Sequence, residues 1–109
     1  MSADEISTAS NAEMSALREK IDALDSALVD LLAERQRCIA NAAGIKSRIN
    51  WPARISARVE EVLSRVAKRA EQKDLDTDLA KSLWTDIIEW SIAYEERLMK
   101  EAGEKTDRA

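Results

Sequence analysis

The sequence contains no histidine and a single cysteine, Cys38, in 109 residues. The commonest metal ligand and the commonest general base are therefore missing, and one cysteine supports neither an intramolecular disulfide nor a thiolate metal cluster. Metal-assisted chemistry and nucleophile–base triads are poor candidates, and no cofactor is expected. Phenylalanine is absent, proline occurs once and glycine twice, so the chain has few residues that make turns. No stretch approaches the roughly 20 apolar residues of a membrane span, and the acidic opening Met1-Ser2-Ala3-Asp4-Glu5 has no apolar signal core behind it. The expectation is a cytoplasmic protein without membrane association. A net charge of -4 argues against a nucleic-acid partner, because binding a polyanion requires a dense basic face.

What the chain does have is a helix-forming vocabulary of Ala, Leu, Ile, Glu, Lys and Arg. Residues 1 to about 12 are rich in Ser, Ala and Asn without periodicity, and are expected to form a disordered N-terminal tail. From Leu17 the apolar residues recur at Ile21, Leu24, Leu28 and Leu31, in alternating steps of four and three that mark a helix seam. The register continues through Cys38, Ala42, Ile45 and Ile49, and interior Gly44 costs only about 1 kcal/mol relative to Ala. The first helix is thus expected over about 13–49.

Asn50-Trp51-Pro52 ends it, since proline disfavours helical geometry at the preceding residue and suits the first turn of a following helix. A second helix, about 53–72, has an inner face of Ile55, Val59, Val62 and Val66. Glu60, Glu61, Lys68 and Arg69 fall on its solvated side. Lys73-Asp74-Leu75-Asp76 forms the next turn, with Asp76 as an N-cap and Leu75 placed to staple onto a third helix. That helix, about 77–101, turns Leu79, Leu83, Trp84, Ile87, Ile88, Leu98 and Met99 inward. A polar tail occupies 102–109, so the helical domain is expected over 13–101.

The fold class is all-α, with three helices and a very long first one. At 1.5 Å per residue the first helix is about 55 Å long, against a diameter of about 27 Å for a compact domain of this size. An intertwined helical homodimer is the simplest cover for its seam.

Polar residues interrupt the apolar faces. Arg35 takes the seam position after Leu31, where a guanidinium is costly unless paired. Taken alone, it reads more readily as a structural ion pair or a snorkelling side chain than as a ligand. Lys46 lies 11 residues further on, about 20° around the helix and about 16 Å along it, within reach of a shared ligand. Arg58 adds a third cation, between Ile55 and Val62 on the inner side of the second helix. With no evident buried carboxylates to match, the three suggest an anionic ligand. Arg18 is about 25 Å from Arg35 along the helix axis, so only an antiparallel partner's copy could join the same site; on physical grounds it reads as a surface residue. On the third helix, Ser91 and Glu95 continue the inward face one turn apart. Glu95 reads either as a catalytic acid or as a salt-bridge partner of an interior cation. Trp84 and Trp90 read as core or dimer-contact residues, and Cys38 as a small seam hydrophobe.

The run Leu17-Arg18-Glu19-Lys20-Ile21-Asp22-Ala23-Leu24-Asp25, then Leu31-Leu32-Ala33-Glu34-Arg35, resembles the opening of AroQ-class (type II) chorismate mutases. Lys46, Arg58 and Ile87-Ile88-Glu89-Trp90-Ser91 follow at that family's spacings, and the similarity extends over about 17–99. The resemblance implies a Claisen rearrangement of chorismate to prephenate in a helical dimer, without cofactor. It also implies that Arg18 of one subunit and Arg35 of the other hold the two substrate carboxylates, assisted by Arg58 and Ser91. Lys46 and Glu95 would face the ether oxygen.

Several positions depart from the family pattern. Glu95 stands where many bacterial mutases carry Gln, and a carboxyl donates a hydrogen bond only when protonated. Val59 replaces a usual Glu, and Ile55 a frequent Asp, at positions that contact the ring hydroxyl in the family. Related isochorismate pyruvate lyases share the Arg-Val pair, so salicylate formation is one alternative and a 4-amino-4-deoxychorismate mutase another. Outside enzymes, a metabolite-sensing or helical interaction dimer would account for the long helix.

Overall fold

The computed structural model describes residues 2–108, excepting the side chains of residues 3, 4, 6, 7 and 106–108. Three helices account for nearly all of them: α1 over Ala3–Ile49, α2 over Ser56–Gln72 and α3 over Thr77–Arg108. The all-α architecture and the order of elements match the sequence reading. The ends differ from it in instructive ways.

The first helix begins at Ala3, not near residue 13. Ser2 and Glu5 form a reciprocal capping box: the Glu5 amide donates to Ser2 Oγ at 3.2 Å, and the Ser2 amide donates to Glu5 Oε2 at 3.0 Å. Two amides that a helix start would otherwise leave open are satisfied, and the Ser/Ala/Asn run continues as helix behind them. The third helix likewise runs through Gly103. No glycine in the described chain has a positive φ, so Gly103 does not supply the left-handed turn that commonly stops a helix.

The left-handed positions belong instead to Asn50 at φ 58° and Asp74 at φ 56°. Each follows a helix and closes it in the same way. The Trp51 amide reaches back to the Lys46 carbonyl at 2.9 Å, and the Leu75 amide to the Ala70 carbonyl at 2.9 Å. These are the six-to-one bonds of Schellman closures, made here by the two residue types other than glycine that best tolerate this conformation. Pro52 falls in a non-helical connection that bends at Ala53, and α2 starts only at Ser56, with Ile55 as an extended N-cap. The Ile55 carbonyl receives the amides of Arg58 and Val59 at 3.0 and 3.1 Å. Asp76 caps α3 as expected, accepting the Leu79 amide on Oδ1 at 2.9 Å.

The chain divides into two compact units, Met1–Arg35 and Gln36–Ala109. The first is a stretch of α1 alone. In the second, α2 packs against α3, and the core gathers Ala53, Ile88 and Ile92 with Val59, Val62, Leu63, Trp84 and Met99 against them. Leu79 and Leu83, expected inward, remain half exposed at 48% and 47%. They lie on the side of α3 that α2 does not cover.

Candidate active site

Two of the predicted residues meet. Lys46, near the end of α1, places its ammonium 2.8 Å from Glu95 Oε2 on α3. The Glu95 side chain is only 5% exposed and that of Lys46 17%. The Lys46 Nζ also donates to the Ala53 carbonyl at 2.8 Å, so the connection between α1 and α2 reaches the same cation. Glu95 is ion-paired with an interior cation, as one of its two readings expects. A carboxylate so buried needs such a counter-charge, because burial without one costs several kcal/mol.

Ser91 lies one helical turn before Glu95 and is also buried. Its hydroxyl donates to the Ile87 carbonyl at 2.7 Å. Serine in a helix interior commonly turns back onto its own backbone in this way. The α3 face thus presents a hydroxyl and a carboxylate one turn apart, beside apolar Ile88 and Ile92.

Arg58 is elsewhere. Expected on the inner side of α2, it is 58% exposed and bonds Glu61 Oε1 at 2.6 Å, one turn along its own helix; Arg65 approaches the same oxygen at 3.2 Å. The inward face of α2 belongs to Val59, Val62 and Leu63, and Arg58 flanks it. Val59 is engaged in core packing, and Ile55 is half-buried at the helix start. Arg18 and Arg35 belong to the first unit, Arg18 exposed and Arg35 half-buried. Cys38 is exposed, as are most apolar residues of the α1 seam.

One tether was not anticipated. Arg54 grips Glu89 with both arms of its guanidinium, Nη1 to Oε1 at 3.0 Å and Nη2 to Oε2 at 2.6 Å. The pair joins the α1–α2 connection to α3 across 35 residues, a separation that leaves no local signal in sequence. The Arg54 hydrogen bonds hold the Glu89 carboxyl below its ordinary pKa. The tether is therefore present above the ordinary carboxylate pKa and is lost as pH falls through the lowered one.

A cleft of about 610 Å³ opens beside Lys46, lined also by Asn50, Trp51, Pro52 and Met99. Neither Glu95 nor Ser91 lines it, so it flanks the polar pair without containing it.

The half-buried ammonium, the buried carboxylate and the neighbouring serine thus form one polar cluster. Residues 17–96 match the family described as chorismate mutase type II. The chain belongs to the type II chorismate mutase family. Among its relatives, a T-protein of Enterobacter agglomerans is 34% identical over 84 residues, covering 77% of this chain and 22% of that protein. A chorismate mutase of Methanocaldococcus jannaschii is 23% identical over 96 residues, covering 88% of this chain and 97% of that protein. A bifunctional chorismate mutase/prephenate dehydratase of Escherichia coli is 34% identical over 86 residues, covering 79% of this chain and 22% of that protein. The chain thus spans about a fifth of the T-protein and of the bifunctional enzyme, and nearly all of the archaeal mutase. Among the described residues, no helix is long and apolar enough to cross a membrane.

Proposed function

We propose that this chain rearranges chorismate to prephenate, working as a homodimer. The observation that carries the reading is the pair of half-buried Lys46 with buried Glu95 beside Ser91, within a chain of this family. The reaction is intramolecular: one ether C–O bond breaks while a C–C bond forms between the enolpyruvyl arm and the ring. No nucleophile or electron carrier takes part. Catalysis needs the arm held over the ring, and positive charge where the ether oxygen gains electron density. Lys46 supplies that charge. Glu95, as an acceptor for the ammonium, holds Lys46 in place.

In this reading Arg35 and the partner's copy of Arg18 bind the two carboxylates, with Arg58 and Ser91 assisting. Arg58 exchanges Glu61 for substrate, which costs little because an exposed ion pair is worth under about 1 kcal/mol. With Val59 in the core and Ile55 at a helix start, neither offers the ring hydroxyl a hydrogen bond. The mutase names of the relatives favour chorismate over isochorismate. Supplying each compound separately and following its loss tests the reading. Prephenate from chorismate is the expected product, and salicylate from isochorismate would replace the mutase with the lyase.

The dimer is supported by the seam of α1, where Leu17, Ile21, Leu24, Leu28 and Leu31 are between 47% and 62% exposed. Such a continuous apolar stripe calls for a second layer. The double variant Leu24→Glu/Leu28→Glu is expected to run as a monomer in size-exclusion chromatography with light scattering. A dimer of unchanged affinity would place the interface elsewhere.

A further inference from the structure

We infer that Arg54 and Glu89 are positioning residues for the reaction, acting on Lys46 through the backbone carbonyl of Ala53. The inference rests on the reading of Lys46 as the cation at the ether oxygen, and begins from how an ammonium is aimed. A lysine ammonium has three N–H bonds and one rotation, about Cε–Nζ. Two of the three are occupied, by Glu95 Oε2 and by the Ala53 carbonyl, each at 2.8 Å. Those two acceptors fix the rotation and so the direction of the third N–H, the one left for substrate. The first acceptor sits on α3, whose helical backbone holds it. The second sits in the non-helical connection between Asn50 and Ser56, outside the hydrogen-bond ladder of either helix.

What steadies that carbonyl lies on both sides of it. The Ala53 methyl is buried against Ile88 and Ile92. The next residue, Arg54, is bonded at both arms to Glu89, the residue after Ile88. A bidentate guanidinium–carboxylate pair fixes orientation as well as distance. Ala53 and Arg54 therefore clip onto consecutive residues of α3, and the Ala53 carbonyl is presented to Lys46 at a fixed angle. Arg54 and Glu89 touch no reacting atom in this scheme. Releasing the clip lets the carbonyl drift, the ammonium turns, and charge placed for the transition state is misaligned. Loss of alignment lowers kcat more than it raises KM, because ground-state binding depends on the arginines that hold the carboxylates.

The test compares Arg54→Gln, Glu89→Gln and the exchanged pair Arg54→Glu/Glu89→Arg with the wild-type dimer. Two readouts are taken: steady-state kinetics with chorismate, and the nitrogen-15 resonance of the Lys46 ammonium with its rate of hydrogen exchange. Expected for each single variant are a fall in kcat of about tenfold, KM within about twofold, and faster exchange at the Lys46 ammonium, all moving back toward wild type in the exchanged pair. A Lys46 resonance and exchange rate unmoved in a folded Arg54→Gln protein overturns the inference, as does a loss of stability with kcat intact. If the wild-type protein leaves chorismate untouched, the mutase reading fails, yet a Lys46 signal that shifts with Arg54 still upholds the coupling between clip and ammonium.

Discussion

Lys46→Ala is expected to lower kcat for chorismate by about 10²- to 10³-fold, the range seen when one preorganised donor is removed from a site of developing negative charge. The size follows from the surroundings of the ammonium. Its side chain is 17% exposed and is held by two acceptors, so it is aimed before substrate arrives and needs little reorganisation as the C–O bond breaks. The substitution also strands Glu95, whose carboxylate is 5% exposed. Removing one member of a buried pair costs about 3 kcal/mol or more, a large part of the stability of so small a domain. Comparing Lys46→Ala/Glu95→Gln with Glu95→Gln separates chemistry from folding, since the neutral amide tolerates the missing cation. The urea midpoint of the double variant should recover while its kcat stays low. A folded Lys46→Ala dimer with wild-type turnover would remove Lys46 from the mechanism. Glu95→Gln alone should remain active, because the amide oxygen still accepts from the Lys46 ammonium.

The helices were legible in sequence where periodicity was continuous. The four-and-three spacing from Leu17 to Ile49 places α1, and Asp76 caps α3 as its position foretells. The start of α1 was missed although Ser2 and Glu5 stand at capping-box spacing, because the unpatterned Ser/Ala/Asn run after them hides a helix that has no buried face to advertise. The start of α2 was misplaced for a related reason. Pro52 suits a first helical turn, yet Ala53 is drawn into the core with Ile88 and Ile92, and the connection stays non-helical until Ser56. At the site, Lys46 and Glu95 stood out as polar residues on apolar faces, but their pairing spans 49 residues, and no local pattern reports that. Arg58, expected on the inner side of α2, is exposed because a position beside Val59 lies at the border of a helix face. There a long side chain can follow a local carboxylate such as Glu61 outward.

Mixing Arg18→Ala chains with Arg35→Ala chains is expected to restore about one quarter of wild-type activity, although each homodimer alone falls by about 10²-fold for loss of a charged carboxylate contact. Arg18 and Arg35 lie on one continuous helix, about 25 Å apart along its axis, so a single chain cannot bring both to one small dicarboxylate. A two-fold partner running antiparallel can, and each site then takes Arg18 from one protomer and Arg35 from the other. In a heterodimer of the two variants, one site loses both arginines and the other keeps both. Random assembly of equal amounts makes half of all dimers hetero, each with one intact site in two, which gives the quarter. The chains must be unfolded and refolded together, or produced together, so that subunits exchange. If Arg18 served a site within its own chain, or served none, the mixture would show only the average of the two homodimers. Recovery therefore depends on the shared site and not on dimerisation alone, which either variant is expected to retain with its Leu17 to Leu31 seam unchanged.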